Sequence, residues 1–156
     1  ELAARAAARA TPEDIAELRQ TLTEMEENRH DHARFTECDL LFHQTIFRLA
    51  GNRVCSLMFT VVHQSLERLI HLTSQLVEPE HTLQLHRRIF VAIRRRDAGE
   101  ARRRMTEHLE DARELFKRAA ELQARSSLQS RIGELKSATG AAEKLTREFQ
   151  RKRKSK

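Results

Sequence analysis

The stretch FTECDLLFHQTIFRLAGN, residues 35–52, decides the fold. Its apolar residues recur at helical spacing, so it reads as part of one amphipathic helix from about Ala33 to Ala50. Gly51 and Asn52 then supply a left-handed stop. Asp39 and His43 stand one turn apart on the same face as the apolar residues. A carboxylate and an imidazole on a core-facing stripe are costly to bury, so they must either satisfy each other or hold something between them. The second reading makes this stretch half of a metal site.

Working outward, residues 1–10 look like the last turns of a helix whose beginning is absent. Thr11-Pro12-Glu13-Asp14 opens a second helix, with Thr11 as cap, Pro12 at the first position and Asp14 completing a box. Ile15, Leu18, Leu22 and Met25 form its stripe, and Glu26 to His32 is a connection. After Gly51 a fourth helix is expected from Val54 to Val77, with Val54, Met58, Val61, Val62, Leu69, Leu72 and Leu76 inward and Pro79 breaking it. A fifth, from about His81 to Arg95, turns Leu83, His86, Ile89, Phe90 and Ile93 to one face. Asp97 and Glu100 cap a sixth, from Ala98 to about Gln123, whose inner face holds Ala101, Met105, His108, Ala112, Leu115 and Phe116. The expected fold is all-α, an antiparallel bundle of about six helices over residues 1–124. Residues 125–156 form a basic tail, flexible or partly helical, with breaks near Ser126-Ser127 and Gly140.

Composition agrees. Only 4 Gly and 2 Pro occur in 156 residues, which favours helix, and the length suits one domain with a real core. Trp and Tyr are absent, so base stacking would fall to Phe alone, and most Phe sit at core spacing. No apolar run approaches the roughly 20 residues of a membrane span, and no secretory signal is present. Cys38 and Cys55 lack metal or redox spacing and read as reduced thiols of a cytoplasmic protein. The net charge of +6 misleads, because residues 125–156 hold 10 basic and 3 acidic residues. The body therefore carries 19 basic and 20 acidic residues and is not a general polyanion binder. The chain opens on Glu1 in mid-helix, as a fragment would.

His43, His86 and His108 each lie on an apolar stripe. In an up-and-down bundle the turns at Gly51-Asn52 and near Asp97 fall at the same end. The midpoint of Asp39 and His43 lies eleven residues before Asn52, His86 eleven before Asp97, and His108 eleven after it. At 1.5 Å rise per residue all four groups sit roughly 16 Å below that end. Three imidazoles and a carboxylate suit Zn²⁺, Ni²⁺ or a related divalent metal. His63 lies near the same depth at the flank of its stripe, whereas His30, His32 and His71 read as surface and His81 falls on another face.

These residues carry a family resemblance. RATPEDIAELRQTL, DLLFHQTIFRLAGN and LHRRIFVAIRRRDAGEARRRMTEHL resemble the C-terminal effector-binding domain (FCD) of FadR-type GntR transcription regulators, over about residues 1–117. The resemblance includes the Asp-x-x-Phe-His, Ala-Gly-Asn and Met-x-x-His-Leu elements. It implies that Asp39, His43, His86 and His108 ligate the metal and that a small carboxylate effector completes its coordination. DNA binding is then implied to belong to a winged helix-turn-helix absent from this chain, and homodimerisation is implied as well. Candidates for holding the effector are Arg5, Arg68 and His63; the arginines at 94–96 and 102–104 read as a solvated rim. The basic tail lies outside the family pattern. It is expected to be solvated, with nucleic-acid contact as the competing reading. The competing function for the body is a metal-dependent hydrolase, which needs a general base beside the metal. Glu107 projects about 100° away from His108 on the helix, and no HExxH is present, so the chain is expected not to be an enzyme.

Overall fold

The computed structural model describes the backbone of residues 1–59, 61 and 78–154, and the side chains of 1–59, 61 and 78–136. The helices are α1 (Leu2–Arg9), α2 (Pro12–Glu27), α3 (His32–Leu49), a helical segment at 53–59, α4 (Pro79–Arg94) and α5 (Ala98–Lys154). Among the described residues there is no strand. The chain divides into two units, Glu1–Lys117 and Arg118–Lys156.

The helix starts follow from side chains that satisfy orphan backbone amides. Asp14 N donates to Thr11 Oγ1 at 3.2 Å while Thr11 N donates to Asp14 Oδ2 at 2.8 Å, the reciprocal box that opens α2. Asp31 Oδ1 accepts from Ala33 N and Arg34 N, both at 3.1 Å, and so starts α3 slightly earlier than expected. Glu100 N donates to Asp97 Oδ1 at 2.9 Å at the head of α5. Pro79 opens α4, because a first-turn position needs no N–H. Gly51 ends α3 with φ 67°, where a side chain is strained, and a Cβ there would lie 3.1 Å from the Arg9 guanidinium carbon, so Arg9 would have to give way as well.

In the first unit α3 packs against α1 and α2, and α4 packs against the same two helices. The buried alanines of α1 (Ala3, Ala6, Ala7) leave room for close approach. Leu18, Met25, Phe42, Ile46, Leu83, Ile89 and Ile93 are fully buried between the helices, each contributing roughly 1.5–3 kcal/mol through loss of water-exposed apolar surface. At the surface Arg48 of α3 pairs with Asp14 and Glu17 of α2, and Arg87 of α4 pairs with Glu26.

Two expectations are corrected. Val54, Met58 and Val61 do not face the core: they are 67%, 60% and 66% exposed, and Leu57 beside them is 66% exposed. Periodicity identifies an apolar face but not what covers it. The remaining inward positions expected on that helix, Val62, Leu69, Leu72 and Leu76, lie outside the described residues. Second, helix does not stop at Gln123. It continues through Ser126 and Ser127 and past Gly140 to Lys154, since isolated Ser and Gly cost at most about 1 kcal/mol each among strong helix formers. In the second unit Leu122, Leu128, Ile132 and Leu135 are exposed.

Candidate metal centre

α3 carries Asp39 and His43 one turn apart, α4 carries His86 and the first part of α5 carries His108. The bundle brings these four together. His43 Nε2 lies 3.1 Å from both His86 Nε2 and His108 Nε2, and Asp39 Oδ1 lies 3.0 Å from His86 Nε2 and 3.8 Å from His43 Nε2. His43, His86 and His108 each offer a ligand atom, all within 4.8 Å of one another. The phenyl ring of Phe42 stands edge-on to His86 at 4.7 Å and closes one side of the cluster.

Tautomer chemistry shows what this arrangement lacks. His86 Nδ1 lies 2.9 Å from the Thr82 carbonyl, and a carbonyl can only accept, so Nδ1 carries the proton. A neutral His86 then turns the lone pair of Nε2 toward the Asp39 carboxylate and toward His43. Asp39 Oδ1 is buried without a hydrogen-bond partner of acceptable geometry, and His108 Nδ1 is equally orphaned. With neutral imidazoles a single proton on His43 Nε2 cannot serve both of its contacts, and His86 Nε2 meets Asp39 Oδ1 lone pair to lone pair, an arrangement that suits a cation. Metal–nitrogen bonds of about 2.1 Å place two ligand atoms about 3.0 Å apart at right angles and about 3.4 Å apart at the tetrahedral angle. The observed separations fall around these values, so the residues present fit a divalent metal.

Electrostatics point the same way. Burial pushes His43 down to about 4, with the Asp39 carboxylate opposing and His86 assisting. Burial pushes His108 down to about 2, reinforced by His43 and His86. Burial raises Asp39, but the electrostatic influence of the imidazoles around it, His86 first and then His43 and His108, outweighs burial and holds its carboxyl well below the usual range. At neutral pH the cluster therefore offers neutral imidazoles on His43 and His108 and an ionised carboxylate, the forms that bind metal.

Asp39, His43 and His108 also line a cavity of about 350 Å³, whose other walls come from α1, α3, α4 and α5 within the first unit. Arg5 is exposed on α1 and does not line it. His63 and Arg68, with His71, lie outside the described residues. His30 and His32 are exposed, as expected. His81 faces away from the cluster and pairs with Asp111 at 3.1 Å. In the second triplet of the arginine rim Arg102 pairs with Glu1, Arg103 with Glu100, and Arg104 with Glu100 and Glu107. Cys38 and Cys55 are free thiols, and burial pushes Cys38 up. Among the described residues no helix is long and apolar enough to cross a membrane.

The FCD domain family matches residues 1–111, a span that includes all four clustered residues. The galactonate operon transcriptional repressor of Escherichia coli (strain K12) is 31% identical over 99 residues, covering 62% of this chain and 43% of the repressor. The chain thus spans less than half the length of that relative. Among solved structures, E. coli McbR/YncC superposes with a TM-score of 0.67 over 75% of this chain and 57% of the other. At 16% identity that likeness concerns the fold alone.

Proposed function

The chain belongs to the FCD domain family, and from that premise we propose that it is the effector-sensing part of a GntR-type transcription regulator. In this reading Asp39, His43, His86 and His108 hold a divalent metal, Zn²⁺ or Ni²⁺ by donor type, and a small carboxylate effector binds in the adjoining cavity. DNA binding belongs to a winged-helix domain outside this chain. The observation that carries the reading is the close approach of three imidazole Nε2 atoms and a carboxylate oxygen that lacks a hydrogen-bond partner.

When bound, the metal supplies a fixed positive charge that accepts lone pairs from three helices and from an effector carboxylate. The chain's own residues do the positioning. Thr82, through its carbonyl, orients His86, a constraint of the kind that sets ligand tautomer in metal sites. Phe42 excludes water from one side. Effector then controls DNA binding to the extent that it binds the DNA-competent and DNA-incompetent arrangements with different affinity. The reading is regulatory rather than catalytic: Glu107, the carboxylate next to His108, accepts from Arg104 Nη1 at 2.8 Å and does not line the cavity. Self-association is part of the proposal, because Val54, Leu57, Met58 and Val61 repeat at three- and four-residue spacing on one exposed face.

Elemental analysis of chain purified without chelator, followed by calorimetric titration with Zn²⁺ and Ni²⁺, tests the metal. About one metal per chain is expected, retained in His81→Ala and lost in His86→Ala. A wild-type chain that neither carries metal nor gains thermal stability from either ion overturns the proposal.

A further inference from the structure

The cavity beside the cluster is chemically one-sided. At one end stand Asp39, His43 and His108; the rest of the described wall is dominated by Phe35, Phe47, Leu85, Met105, Leu109 and Phe116. Several of the other polar groups on that wall are already engaged. Thr36 Oγ1 donates to the His32 carbonyl, the Thr82 carbonyl accepts from His86, Asp111 pairs with His81 and Glu1 with Arg102. Among the described lining residues none is Lys or Arg, so among them a carboxylate entering the cavity finds a positive partner only in a metal held at the cluster. At about 350 Å³ the space stands at the small end of ligand pockets, which run about 300–1,000 Å³.

From this we infer that the effector is a monocarboxylate with a compact apolar body, its carboxylate at the cluster and its hydrocarbon against the phenylalanine, leucine and methionine wall. A polyhydroxylated acid of the same length is the wrong ligand. Each hydroxyl buried against that wall gives up water without a replacement hydrogen bond, which weakens binding by about tenfold per hydroxyl. The inference rests on the proposed effector site but concerns the end of the cavity away from the metal.

Hexanoate, phenylacetate and D-galactonate are the probes, each titrated against the full chain by calorimetry and thermal shift, once with Zn²⁺ and once with chelator. Hexanoate or phenylacetate is expected to bind at least tenfold more tightly than galactonate. Phe116→Ala, two turns beyond His108 on the apolar wall, is expected to weaken the apolar acids severalfold and leave Zn²⁺ affinity within twofold, and Ala112→Phe, which narrows the cavity, is expected to weaken them at least tenfold. Apolar acids that bind equally well in chelator overturn the placement of the carboxylate at the cluster, and the metal's part in effector binding with it, and sustain only the preference for an apolar body. Galactonate binding as tightly as the apolar acids, or no binding by any probe in either condition, overturns it. The probe series in wild-type chain decides the matter even where Ala112→Phe fails to fold.

Discussion

Replacing His108 by leucine should make the metal-free chain more stable and the metal-loaded chain less so. His108 is only 9% exposed, is held neutral by burial with its pKa pushed down to about 2, and leaves Nδ1 buried without a partner. An unsatisfied buried polar group costs about 1–3 kcal/mol. Leucine removes that group and fills a similar space with carbon. The offset is small, since His43 Nε2 loses His108 at 3.1 Å but keeps His86 at the same distance. The net gain should be about 1–2 kcal/mol, a rise in Tm of roughly 3–8 °C for a unit of this size. Metal reverses the order. At a free metal concentration 100 times Kd the wild-type gains about 2.7 kcal/mol, and the variant, lacking a ligand, gains little. Thermal melts of both proteins in chelator and in Zn²⁺ should therefore cross. If His108→Leu melts below wild-type in chelator, the orphaned donor was not a stability cost. If it responds to Zn²⁺ as fully as wild-type does, His108 is not a ligand.

Acid should weaken the metal-free chain from near-neutral pH downward. His43 titrates at about 4 in the folded chain against an ordinary 6.5, so between those values the unfolded chain binds more protons, and stability falls as pH falls through that window. The loss from His43 is at most about 3 kcal/mol; urea midpoints at pH 7, 6, 5 and 4 measure it, and a flat profile excludes it. Leu57→Asp, on the exposed stripe, should turn a dimer into a monomer in sedimentation equilibrium with Tm of the dissociated chain unchanged; a wild-type chain that is monomeric at tens of micromolar refutes the assignment. Gly51→Ala should lower stability by about 1–2 kcal/mol, because a β-carbon is strained in the left-handed region and meets Arg9 as well; chemical denaturation that finds no change would mean the turn rearranges freely.

What was legible in the sequence was local or metrical. The Thr11–Asp14 box, the Asp97 cap and the Gly51 stop are written in neighbouring residues. With those turns located, the constant rise of a helix placed Asp39, His43, His86 and His108 at one depth, and the fold puts their donor atoms within reach of one another. Periodicity failed where the question was one of partner. Val54, Met58 and Val61 have the spacing of core residues and face away from the core, because an apolar stripe looks the same whether its own bundle or another surface covers it. Ser126-Ser127 does not break the helix, since each Ser costs only a few tenths of a kcal/mol among strong helix formers. The cavity had no local signal at all. It is space left between Phe35, Phe47, Met105 and Phe116, which come from helices far apart in the chain.

The geometry of the cluster also bears on how it signals. Asp39 and His43 share α3, yet their facing atoms are 3.8 Å apart, whereas the contacts of His86 with Asp39 and His43, and of His108 with His43, are 3.0–3.1 Å and all cross between helices. Any change in what occupies the centre of these donors is therefore felt between helices rather than within one. Without a cation these contacts cannot all be hydrogen bonds, and the unsatisfied ones oppose close approach of α3, α4 and α5; a bound cation would favour it. A close-packed core does not absorb such a change smoothly, so a small shift in the separation of these helices is the natural first step of any signal. An effector that adds or withdraws a ligand atom at the same point acts on the same separations, and it biases the regulator only if one arrangement of the helices holds it more tightly than the other.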